Sequence, residues 1–144
     1  MFSQASKHAI KAVIYIYTQS LVDKKVSAKE IASEIGTPEP FTAKILQSLA
    51  KADLISSLKG PKGGFYIDEA HSHITLKDVI RVVDGDHLFV GCSMGLVNCS
   101  EKNPCPLHFE AMKVRQALDE MLTKKSIKHL AVEVIKGETS LFNF

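Results

Sequence analysis

The stretch SAKEIASEIGTPEPFTAKILQSLAKADLISSLKGPKGGFYI, residues 27–67, decides the fold. Ser27 with Glu30 three residues later is a capping box, opening a short helix that turns Ile31, Ala32 and Ile35 inward and stops at Gly36. Gly36-Thr37-Pro38 makes a tight turn, after which Phe41, Ile45, Leu46, Leu49 and Ala52 repeat at helical spacing to about residue 52. Two short helices joined by a glycine-containing turn are a helix-turn-helix. Leu54 to Leu58 then reads as a strand, Lys59 to Gly64 as a loop and Phe65 to Ile67 as the returning strand, a hairpin with a basic, glycine-rich tip.

Working outward, Ile10, Val13, Ile14, Tyr17 and Leu21 fall on one face of a helix of about residues 3 to 21. On the other side Thr75 caps a helix that turns Val79, Ile80 and Val83 inward and stops at Asp84-Gly85-Asp86. Residues 92–105 carry the cysteines among Gly, Ser and Asn and are too irregular to assign. From Pro106 the chain is helical again, with Leu107, Ala111, Val114, Leu118 and Met121 in a 4-3-4-3 seam. Such a stripe suits either packing within one domain or a dimer seam. The helix-turn-helix favours the dimer, because these proteins meet paired half-sites with two-fold symmetry. Residues 126–136 read as a last helix, and Leu141, Phe142 and Phe144 as a tail that tucks back or stays mobile. The expected fold is mainly α with a small β-hairpin wing: a winged helix-turn-helix over 1–84, a cysteine loop over 85–105, and a dimerisation helix with tail over 106–144, helix one packing with this last part.

A chain of 144 residues supports one compact domain. Its net charge of +2 hides an asymmetry, since residues 1–67 hold 9 Lys and Arg against 5 Asp and Glu, and the rest 9 against 11. A basic first half is what a phosphate-binding face requires. Cys92, Cys99 and Cys105 are odd in number and lie in one short stretch, which argues against a secreted disulfide framework. No apolar run approaches the ~20 residues of a membrane span, and the expected location is the cytoplasm, without a membrane partner.

The second helix of a helix-turn-helix reaches base edges with its first residues, here Thr37, Glu39, Thr42 and Lys44. Thr contacts a base or a phosphate, Glu accepts from a cytosine amino group, and Lys donates to guanine. At the hairpin tip Lys59 and Lys62 reach the groove, while Gly63 and Gly64 let the backbone approach a phosphate closely. Lys7, near the start of helix one, joins this basic set. The only arginines are Arg81 and Arg115, so the wing is expected to grip backbone rather than read the minor groove.

Cys92, Cys99 and Cys105 with His108 form a complete four-ligand set of three thiolates and an imidazole, suited to an iron–sulfur cluster or to zinc. Gaps of six and five residues are wider than the paired cysteines of a zinc ribbon and favour an object larger than one ion. Cys105 and His108, at i and i+3, are expected on one face of the long helix's first turn. No base and orienting partner accompany a cysteine, which speaks against a nucleophilic enzyme.

The wing Leu58-Lys59-Gly60-Pro61-Lys62-Gly63-Gly64-Phe65 and the spaced cysteines closely resemble the IscR/NsrR/CymR family of bacterial winged-helix regulators over nearly the whole chain. The resemblance implies a homodimer on double-stranded DNA with a pseudo-palindromic operator, repression as the usual outcome, and Cys92, Cys99 and Cys105 as ligands of a two-iron or four-iron cluster that senses iron–sulfur, redox or nitric oxide status. The chain departs from the pattern in three places. The first cysteine gap is one residue longer than in the best-known members, Lys59 replaces the usual wing arginine, and Lys7 and His8 stand where some members carry an acidic ligand. His108 is therefore the expected fourth ligand, with His8 behind it. Members without a cluster sense a metabolic enzyme or a thiol signal, so a metal-free or zinc-stapled regulator is the alternative, and a protein-interaction module that never meets DNA is the alternative of another class.

Overall fold

The computed structural model describes residues 1–142, in the order α1 (Gln4–Ser20), α2 (Ala28–Ile35), α3 (Glu39–Lys51), β1 (Ser56–Leu58), β2 (Gly64–Tyr66), a 3-10 turn (Glu69–His71), α4 (Leu76–Asp84), α5 (His108–Thr123) and α6 (Ile127–Ile135). The mainly α fold with one small hairpin is as expected. Phe144 lies outside the described residues, while Leu141 packs on the core and Phe142 is exposed.

Helix α1 is the axis. Ala9, Ala12, Val13, Ile14, Ile16 and Tyr17 are all buried, because α2, α3, α4, α6 and β2 pack around it. A helix covered on so many sides needs apolar or small residues beyond a single stripe. Leu21, at the end of the expected stripe, is exposed instead.

Helix α2 begins with the expected capping box: Ser27 Oγ accepts from Glu30 N–H at 3.1 Å, and Ser27 N–H donates to the Glu30 carboxylate at 3.4 Å. It ends at Gly36, whose φ of +70° is cheap only for glycine. Helix α3 leaves through a turn in which Asp53 N–H donates to Ala50 O and Leu54 N–H to Leu49 O, both at 3.0 Å. Leu54 and Ile55, expected in the strand, therefore belong to this exit, and β1 starts only at Ser56.

The wing pairs Ser56 with Tyr66, Ser57 with Phe65 and Leu58 with Gly64. A hairpin of three pairs is marginal alone, and here it is anchored at its base. Phe65 N–H donates to Val26 O at 2.7 Å and Val26 N–H to Phe65 O at 3.0 Å, while Ile67 N–H donates to Ser20 Oγ at 2.9 Å.

Helix α4 opens with a Thr75–Asp78 capping box, and α6 returns to the first half of the chain: Ile127 N–H donates to Ile74 O at 2.7 Å, and Ile127 and Ala131 are buried in the core shared with α1. Helix α5 behaves differently. Its C-terminal half packs Leu118 and Leu122 on Ile80, but Leu107, Val114 and Met121 are 50%, 68% and 51% exposed. The expected seam is thus divided. Leu118, 8% exposed, is committed to its own chain because α4 crosses α5 there; Ala111 is half-buried, and the other three are free. Among the described residues no helix is long and apolar enough to cross a membrane.

Candidate nucleic-acid interface and metal centre

Glu39, Lys44, Lys7, Lys59 and Lys62 all have exposed side chains, and Thr37 is half-buried. Thr42 departs from expectation. It is 1% exposed, its Oγ1 lies 2.6 Å from Thr37 Oγ1, and the same hydroxyl donates to Pro38 O at 3.1 Å. A hydroxyl turned into the helix-turn-helix core has no face left for a base, so Thr42 holds the turn instead of reading through it. Its neighbour Phe41, expected inward, is 39% exposed and stands edge-on to His8 of α1 at 5.7 Å between ring centroids. Residues 42, 45, 46 and 49 are the true i, i+3, i+4, i+7 stripe. That signal was present but masked by the greater hydrophobicity of Phe41. Gln47, one turn beyond Lys44, is also exposed.

The wing glycines have a structural task beside the one expected. A Cβ on Gly63 would stand 2.0 Å from Leu58 O, and one on Gly64 2.8 Å from Val26 O, where φ is already +142°. The backbones they admit are those of the protein itself, and Gly63 N–H is used by Gly60 O at 3.0 Å. Lys59 and Lys62 remain exposed at the tip, with no ion-pair partner among the described residues.

The loop between α4 and α5 brings the three thiols together. Cys92, Cys99 and Cys105 Sγ atoms all lie within 4.8 Å of one another, with Cys92 and Cys105 at 3.6 Å. Cys105 is not on α5: it precedes the helix, and a turn in which His108 N–H donates to Cys105 O at 3.0 Å leads into it. As a result the His108 ring meets Cys99, with Nδ1 3.1 Å from that Sγ, rather than Cys105. Its Nε2 is buried without a hydrogen-bond partner. Three converging thiols with an imidazole against one of them are a donor set for a thiolate-seeking metal or cluster; the nitrogen that faces Cys99 is Nδ1, and the unpartnered Nε2 is the other one. His8 stands apart, against Phe41.

Backbone amides make the loop electropositive where it matters. The N–H groups of Leu96 and then Met94, with the two neighbouring thiols, hold the Cys92 thiol down at about 7 against the opposing effect of burial. Burial pushes the Cys105 thiol up. On the near side of the loop, Asp84 at the end of α4 accepts from Ser3 Oγ at 2.5 Å and from Ser6 Oγ at 2.6 Å, tying the start of the loop to the first turn of α1. Burial raises the Asp84 carboxyl, but these two hydroxyls and the charge of His87 outweigh it and hold it below its ordinary value.

A helix-turn-helix with a hairpin wing, exposed lysines on the recognition helix and at the wing tip, and a thiol cluster in the loop after α4 defines a winged-helix transcriptional regulator. The Rrf2 family, described as an iron-dependent transcriptional regulator, matches residues 2–133, and the chain belongs to it. A protein of Aquifex aeolicus named as an HTH-type transcriptional regulator is 30% identical over 90% of both chains. The HTH-type transcriptional repressor NsrR of Streptomyces coelicolor is 25% identical over 67% of this chain and 60% of its own. Two solved structures share the fold: CymR, described as the global cysteine regulator of B. subtilis, at a TM-score of 0.74 and 22% identity over 92% of this chain and 96% of that one, and T. potens IscR at 0.73 and 21% over 97% and 92%. The chain is a transcriptional regulator of this family and not an enzyme.

Proposed function

We propose that this regulator works as a homodimer that represses from a pseudo-palindromic operator and senses iron–sulfur, redox or nitric oxide status through a cluster held by Cys92, Cys99 and Cys105, with His108 as the fourth side chain. The convergence of the three thiols carries the reading. The description of the family as iron-dependent supports it. When bound, a cluster supplies an oxidisable, nitric-oxide-reactive group whose loss alters the shape of the loop that holds it.

The chain's own residues carry that change to DNA. The loop begins at Asp84, which Ser3 and Ser6 bind to α1, and α1 supports α3 and carries Lys7. A loop that shifts the end of α4 therefore shifts the element on which the recognition helix rests. The exposed Leu107, Val114 and Met121 form the dimer seam, and the two reading heads span half-sites roughly 34–36 Å apart.

Zinc is the second reading, and one observation favours it. The 3.6 Å between Cys92 and Cys105 Sγ is close to the edge of a tetrahedron with 2.3 Å metal–sulfur bonds, roughly 3.8 Å. The deciding experiment is an absorption spectrum with iron, sulfide and zinc analysis of protein purified without oxygen, beside a Cys92→Ala variant. A brown protein that loses iron and sulfide in the variant upholds the cluster. Colourless protein with stoichiometric zinc replaces it with the second reading, and equal affinity of loaded and stripped protein for the operator refutes sensing altogether.

A further inference from the structure

On the DNA-binding half, outside every motif already considered, His71 sits in the 3-10 turn after the wing with 12% of its side chain exposed and both ring nitrogens engaged. Nδ1 lies 2.6 Å from Asp68 Oδ1 and Nε2 3.2 Å from Asp53 Oδ1. An imidazole that faces two carboxylates satisfies both only with a hydrogen on each nitrogen, that is, as the cation. The two carboxylates stand on the two legs of the hairpin, Asp53 ahead of β1 at the exit of α3 and Asp68 just past β2. Asp53 holds a left-handed φ of +60°, unusual for a residue with a side chain, and among the described residues its one side-chain partner is His71.

We propose that His71 is a positioning residue for DNA binding: bridging Asp53 and Asp68 as a cation, it clasps both legs of the wing and sets the wing against the end of the recognition helix. The proposal rests on the DNA-binding reading of the wing and α3. Burial favours the neutral ring, but the hydrogen bonds to Asp68 and Asp53 and their charges outweigh it and raise His71 above its ordinary 6.5. Asp68 is correspondingly held low, chiefly by its bond to His71. Beyond these two carboxylates, the charged groups nearby are Glu69 and Lys128 of α6, paired with each other at 3.1 Å; the Tyr17 hydroxyl of α1, raised by burial, is neutral wherever His71 titrates.

The sign follows. A group raised in the folded protein contributes fully below its unfolded value and is lost as pH rises through the folded one. Above that point one ring nitrogen faces a carboxylate as acceptor to acceptor, one leg of the wing is released, and the two carboxylates at the base of the wing lose their counter-charge. All three changes weaken binding.

The test uses full-length protein and a labelled duplex that the protein itself selects from a randomised pool at pH 6, with affinity measured from pH 5.5 to 8.5 at constant ionic strength. Amide exchange protection at Ser56 and Tyr66, paired across the hairpin at a position where the Phe65 backbone is taken up by Val26, is followed over the same range, and the ring signals of His71 give its midpoint. Asp53→Asn is the clean variant, because asparagine tolerates the left-handed turn and carries no charge; His8 titrates alike in both proteins. Wild-type affinity is expected to fall about two- to fivefold as pH passes His71's midpoint, with wing protection falling in step and both changes reduced in Asp53→Asn. Superimposable profiles for wild type and Asp53→Asn overturn the proposal. If no duplex is selected at any pH, the DNA-binding reading fails, and exchange alone judges the clasp: a wing step present in wild type and absent in the variant upholds it, and no difference overturns it.

Discussion

Replacing Thr42 by valine separates a turn-holding residue from a base-reading one. Valine matches threonine in shape, so the packing among Ile45, Leu46 and Leu49 is kept and only the hydroxyl is removed. That hydroxyl makes two contacts, 2.6 Å to Thr37 Oγ1 and 3.1 Å to Pro38 O. Neither partner is orphaned by its loss. Pro38 O still accepts from Thr42 N–H at 3.0 Å, and the half-buried Thr37 hydroxyl is able to turn towards water. The cost is therefore that of the bonds alone, about 1 to 2 kcal/mol for two neutral hydrogen bonds, without a desolvation penalty. Urea denaturation is expected to show a lower midpoint at unchanged slope, while the base preference of the selected duplex stays the same at every position. A variant of unchanged stability whose preference changes at one base pair would refute the inward assignment of Thr42.

Lys59→Ala with Lys62→Ala is expected to weaken binding to all duplex sequences alike and to reduce the salt slope by about two, measured by anisotropy over a salt series; a change in sequence preference would make the wing a base reader. Val114→Glu should convert a dimer to monomer in sedimentation while leaving thermal stability nearly intact, since the residue is 68% exposed in the single chain. Leu118→Ala should instead cost about 2 to 4 kcal/mol of stability through the cavity beside Ile80 and Leu122. Asp84→Ala removes two charge-assisted bonds and is expected to cost about 1 to 2 kcal/mol at neutral pH. Because the Asp84 carboxyl is held below its ordinary 3.8, its stabilisation is present above that value and lost as pH falls through the folded one, so wild type and variant should converge in acid; a constant gap would contradict this.

How far the sequence could be read depended on the range of the signal. The helix-turn-helix, its capping box, the wing and the cysteine set are all specified within a few residues, so spacing and turn chemistry alone reach them. The errors lie where a neighbour distant in sequence decides. Phe41 and Thr42 exchange faces because His8 of α1 receives the ring and the Thr37 hydroxyl receives the threonine. Leu118 leaves the seam because α4 crosses α5 at that level. Gly63 and Gly64 take a further task, admitting Leu58 and Val26, because the wing pairs with the segment before α2. His71 gave no signal at all, since its two acids come together only when the hairpin closes.

The metal centre shows the same boundary within a single site. Sequence spacing gathers Cys92, Cys99 and Cys105, whose thiols do converge, and it aims Cys105 and His108 at one site by placing both on the first turn of the helix. The chain enters α5 through a turn, which shifts Cys105 off the helix and swings His108 to Cys99. That difference has a chemical consequence. The imidazole meets Cys99, whose Sγ otherwise accepts, among the described residues, only from Cys105 N–H at 3.4 Å, and not the close Cys92–Cys105 pair, so loss of His108 should loosen Cys99 and the Leu96–Cys99 turn first and leave Cys92 and Cys105 together. In metal-free His108→Ala protein, alkylation of Cys99 is therefore expected to accelerate more than that of Cys92 or Cys105, as read by mass spectrometry of timed samples. Equal acceleration of all three would mean that His108 braces the loop as a whole and has no particular tie to Cys99.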